Sequence, residues 1–121
     1  MAKSFNLEDK AVDLLDYTLI ITSNKNRYPS KYIEIVRYIV RINLDIYDCI
    51  TDANDLDIKT QKAERIKLQS KAIRLCDKLS KFAELSLRHK RIGSDTLCHW
   101  QKLISDVKYM TLAWRESDKK K

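Results

Sequence analysis

Turn-forming residues are nearly missing from this chain, with one glycine and one proline in 121 residues. That scarcity excludes an all-β or an α/β chain, whose many turns need both. It also excludes a phosphate-cradling loop, which requires several glycines. No apolar run approaches the roughly 20 residues needed to span a bilayer. Histidine is scarce as well, occurring only at His89 and His99. Cys98 and His99 are adjacent and so point to different sides of a helix, and no C-x-x-C, H-x-x-x-H or Glu-x-x-His pair occurs. Zinc and di-iron chemistry therefore lack ligands, and neither a metal nor a cofactor is expected. Ser94 and Thr96 have no setting that would make either a nucleophile; capping is the simpler role. No catalytic residue is assigned, and the chain reads as something other than an enzyme.

The cysteines Cys49, Cys76 and Cys98 are odd in number and widely spaced, each inside a helical pattern. That pattern predicts buried thiols in a reducing compartment rather than a disulfide framework. The N-terminal MAKSFNLEDK carries charges where a signal peptide has its apolar run, so the expected location is the cytoplasm. With 44% hydrophobic and 34% charged residues, the composition fits one helical domain better than a disordered polyelectrolyte.

The periodicity predicts four helices, at about 6–23, 30–54, 59–90 and 95–116, with a frayed tail at 117–121. Asn6 is placed to cap the first, and Leu7, Ala11, Leu14, Leu15, Thr18 and Ile21 follow one face. Ser23–Asn26 ends it, and Pro29 opens the second helix, where its missing N–H costs nothing. The second helix is rich in β-branched residues, but some 25 residues without a turn signal are too many for a strand. Its polar side chains fall in one narrow arc, so burial on several sides is expected, and Asn43 must find a hydrogen-bond partner inside. Asp55-Leu56-Asp57 is the next break. Gly93 marks the end of the third helix, and Ser94 or Asp95 caps the fourth. Short connections then imply an all-α, antiparallel up-down four-helix bundle, a single domain over 1–121.

The charge is concentrated. Segment 59–91 holds eleven Lys/Arg against three acids, a net of +8 in a chain whose total is +7. Lys67, Lys71, Arg74, Lys78 and Lys81 recur at spacings of 4, 3, 4 and 3, within roughly ±40° of one helix face. Among the acids only Asp77 can flank them. The second helix behaves differently, because Glu34 and Asp45 stand at i−3 and i+4 from Arg37 and Arg41 and neutralise them. An unanswered row about 21 Å long suits an anionic polymer, and the alternative is a solvated face. Arg88 extends the row, with Lys59 and Lys62 secondary. Behind the row an apolar arc near 180° wide, including Leu68, Leu75, Leu79 and Phe82, exceeds the roughly 100° of an ordinary surface helix. It implies either burial against a second copy of the chain or a tightly packed monomer. Trp100 and Trp114, on the apolar stripe of the fourth helix, read as core and not as platforms for bases.

Three segments also carry a resemblance. Arg27-Tyr28-Pro29-Ser30-Lys31 before a long apolar helix resembles an R-F-P-K-type entry to a second helix. The third helix, with Arg65, Leu68, Gln69, Ala72 and Leu75-Cys76-Asp77, fits the same pattern. So does the last helix, His99-Trp100 through Val107-Lys108-Tyr109-Met110 to Leu112-Ala113-Trp114. Together they resemble the accessory variability determinant proteins of diversity-generating retroelements, relatives of the ribosomal-RNA intervening-sequence proteins. Tyr28 stands where the family usually has Phe, and Leu112-Ala113-Trp114 replaces its small-small-Trp ending. The resemblance implies a homopentameric barrel and a non-catalytic accessory that partners a reverse transcriptase and its template RNA in mutagenic cDNA synthesis. A protein–protein adaptor, or an intervening-sequence-type bundle without a reverse transcriptase, is the alternative.

Overall fold

The computed structural model describes residues 2–121, with side chains from Asn6 onward. It is all-helical, with no strand among the described residues. Four helices, α1 (Ala2–Ser23), α2 (Ile33–Asp55), α3 (Lys62–Arg88) and α4 (Ser94–Lys119), form a bundle. The packing closes in a ring: α1 on α2, α2 on α3, α3 on α4 and α4 on α1. Among the described residues no helix is long and apolar enough to cross a membrane.

The apolar stripes meet as their spacing requires. Leu7, Ala11, Leu14 and Ile21 of α1 face Trp100, Ile104 and Val107 of α4 and the isoleucines of α2 in one buried cluster. Thr18 belongs to the same face because its hydroxyl accepts a hydrogen bond of 3.0 Å from the Trp100 indole. Both tryptophans are buried. On α3 the centre of the apolar arc consists mostly of small side chains, Ala72, Cys76 and Ala83 around Leu79, while the larger Leu68, Leu75 and Phe82 pack at its edges. With α2 on one flank and α4 on the other, the width of that arc is accounted for within one chain.

Several boundaries differ from expectation. α1 begins at Ala2, so Asn6 lies inside the helix, exposed, and caps nothing. Pro29 leads into a 3-10 turn, Ser30–Tyr32, before α2 starts at Ile33. α3 starts at Lys62, because Asp57 and Gln61 bond each other across the break: the Gln61 N–H reaches the Asp57 carbonyl at 2.7 Å and its side chain accepts from the Asp57 N–H at 3.2 Å. At the other end Lys90, with φ of 60°, makes the left-handed turn that glycine was expected to make. Gly93 sits three residues on with φ of −90°, extended, as the N-cap of α4, and neither Ser94 nor Asp95 is the cap.

Three interior details also differ. Asn43 is fully buried with no hydrogen-bond partner for either side-chain atom. Cys49 and Cys76 are buried but Cys98 is exposed, since it lies on the solvent side of α4. Burial, with Asp77 adding to it, pushes the Cys76 thiol up to about 12. α2 buries one face only: Ile33 and Tyr38 are exposed, and Val36, Val40 and Leu44 are half-covered, because α1 leaves a depression beside them, lined by Leu19, Ile20, Val36 and Val40.

The two loops at one end are stitched together. The Tyr28 hydroxyl donates to the Ser86 hydroxyl at 2.6 Å. The Arg91 guanidinium donates to the Arg27 carbonyl at 3.1 Å and stacks over the Tyr32 ring. At the opposite end the expected frayed tail is instead helix. α4 continues to Lys119 because the buried Asp118 carboxylate accepts from Arg65 and from Gln69, each at 2.7 Å. Arg65 also donates to the Leu56 carbonyl.

Candidate nucleic-acid interface

Two seams on α3 run in step. Gln69, Ala72, Cys76, Leu79, Ala83 and Ser86 are buried, while Lys67, Lys71, Arg74, Lys78 and Lys81 are exposed. Because both alternate steps of three and four, they stay on opposite sides for the length of the helix. Burial of one seam fixes the other outward. Arg88 is exposed as well, separated from Lys81 by Glu84 along the rim of a shallow pocket.

Eight ion pairs form among the described residues, and none includes any of these six basic side chains. The pairs anticipated on α2 are present, Arg37 with Glu34 and Arg41 with Asp45, each at 3.5 Å. Asp77, the acid the sequence set beside the row, is held by Lys108 of α4 at 2.7 Å. That hydrogen bond raises the Lys108 ammonium above its ordinary value. Asp77 is thus answered from outside the row, while Glu84 stays between Lys81 and Arg88.

The α2 flank is more mixed than the sequence indicated. Burial raises the Cys49 thiol, Lys71 opposes that rise, and Asp45, Asp52 and Asp48 add to it. One α3 lysine and three α2 carboxylates therefore act on the Cys49 thiol in opposite senses. These acids were visible in the sequence, but nothing in it placed them beside α3.

The secondary basic residues divide. Lys59 is exposed in the α2–α3 connection. Lys62 is half-buried and donates to the Lys119 carbonyl at 3.1 Å, so it ties α3 to α4 in place of facing solvent. Two aromatic residues beside the row escaped the sequence reading. Lys78 stands over the Tyr38 ring of α2, and Lys108 over the Tyr109 ring of α4. Their exposure was the missing signal, since each belongs to an otherwise apolar helical pattern.

The chain matches no protein-family model, no curated protein and no solved structure.

Proposed function

We propose that this chain is a non-catalytic nucleic-acid-binding protein of the cytoplasm. Lys67, Lys71, Arg74, Lys78 and Lys81 contact consecutive phosphates, and Arg88 extends the track. The observation that carries this reading is that all six are exposed along one helix and enter none of the eight ion pairs among the described residues, whereas Arg37 and Arg41 of α2 are answered by Glu34 and Asp45. Like charges at i, i+4 repel by a few tenths of a kcal/mol per pair, and a polyanion removes that cost and adds counterion release. If all five core residues engage, the slope of log K against log salt is about −4.5 on duplex and about −3.5 on a single strand. A flat slope, or one unaltered when the five are replaced by glutamine, sinks the assignment.

Finer features belong to the same proposal. An antiparallel up-down course is supported by bonds tying α1 to α4 at Thr18–Trp100, α1 to α2 at Glu8–Asn54, and α3 to α4 at Arg65–Asp118. Self-association is supported by Val12, Leu19 and Ile20, exposed on α1. The pentameric barrel, the reverse-transcriptase partner and the template RNA rest on the resemblance alone. A reverse transcriptase and a template repeat beside the coding sequence favour them; sedimentation reads the subunit number. The same exposed apolar side chains favour a second reading, a protein–protein adaptor. A pulled-down complex that survives nuclease digestion selects the adaptor.

A further inference from the structure

Tyr38 is 44% exposed and Tyr109 58% exposed, although a tyrosine ring gains most where it is buried. Both flank α3 at one level. The Lys78 ammonium lies 5.4 Å from the Tyr38 centroid, and that ring meets Phe82 in a T-shaped contact, centroids 5.1 Å apart at 77°. On the other side Lys108 bridges Asp77, at 2.7 Å, and the Tyr109 ring, at 5.3 Å from its centroid. Asp77 and Lys78 are consecutive, so the two rings stand on either side of one turn of the basic row. Beyond Tyr38 the outer face of α2 dips into an open depression lined by Val36, Val40 and Leu44, with Arg41 and the Arg37–Glu34 pair beside them.

A duplex keeps its bases stacked inside and offers a convex ridge only phosphates. A single strand offers phosphates and open base faces together, and proteins that bind it combine a cationic track with aromatic platforms. Resting on the phosphate reading of the row, we infer that the site takes single-stranded nucleic acid, with bases stacked on Tyr38 and Tyr109. An exposed ammonium over a ring is held weakly. A base therefore displaces Lys78 from Tyr38 and frees it for the adjoining phosphate. The depression beyond Tyr38 receives the next base on an apolar floor.

The test is fluorescence anisotropy with labelled oligo(U), oligo(dT) and a duplex, each about 15 nucleotides long. Tyr38→Ala and Tyr109→Ala are each expected to weaken single-strand binding roughly 5- to 100-fold and to leave duplex binding within about twofold. Tyr38→Phe and Tyr109→Phe keep the ring and keep the affinity. Tyr38→Leu keeps the packing on Phe82 without a stacking face, so it melts like the parent and still binds weakly. A loss on oligo(U) alone identifies RNA, on oligo(dT) alone DNA, and either supports the inference. Alanine variants with parental single-strand affinity overturn stacking while the row stands, provided the five-glutamine variant loses binding. If that variant also binds as the parent does, the phosphate reading fails and takes this inference with it.

Discussion

Asn43 shows what a single residue reveals beyond its pattern. The sequence placed an amide in the apolar arc of α2, and elementary energetics demanded a partner, yet both side-chain atoms are buried without one. A buried amide left unsatisfied costs about 1–3 kcal/mol. Asn43→Leu, similar in size, is therefore expected to raise stability by about that amount in urea melts; a fall would show that the amide holds something essential. Lys90 is instructive in the opposite sense. A lone glycine after a helix is a strong stop signal, but the chain turned three residues earlier at a lysine. The Arg91 bonds to the His89 and Arg27 carbonyls hold that turn from outside. Local turn chemistry was legible; the tertiary contacts that moved the turn were not.

Among the elements, α3 was the most readable, because its basic and buried seams alternate with the same steps and need no tertiary information to separate. Its N-terminal end was not readable. Arg65 counted as one more positive charge in the sequence, and Asp118 as part of a polar tail, yet they form a buried pair 2.7 Å apart. Burial would raise the Asp118 carboxyl, but the Arg65 and Gln69 hydrogen bonds outweigh it and hold the group below its ordinary value. A depressed carboxylate contributes stability above its unfolded value, near 3.9, and that contribution disappears as pH falls through the lower folded value. Asp118→Ala strands a mostly buried guanidinium and is expected to cost roughly 3–5 kcal/mol at neutral pH. Acid titration of the melting temperature should then show a smaller loss below about pH 4 than in the parent. A neutral substitution would return residues 117–121 to the status of a loose tail.

Across the whole molecule the charges are segregated. Asp9, Asp13 and Asp16 are exposed on α1 and enter no ion pair among the described residues. α1 packs on α2 and α4, not on the helix that carries the basic row. Screening over about 8 Å at physiological salt hides one face from the other, whereas about 30 Å at 0.01 M does not. Replacing the three aspartates by asparagine is thus expected to leave oligonucleotide affinity unchanged near 0.15 M salt and to tighten it near 0.01 M. Equal tightening at both would place the acids within contact range of the ligand. The Arg65–Asp118 pair spans 53 residues of chain, and so it also sets an order of events. While the polypeptide is being made, α1, α2 and α3 emerge with a guanidinium destined for the interior and nothing to neutralise it. Until Asp118 arrives, the guanidinium keeps its water and has the Leu56 carbonyl as its partner. The ion pair is thus a late clasp, closing the start of α3 on the end of α4 only once both have been made.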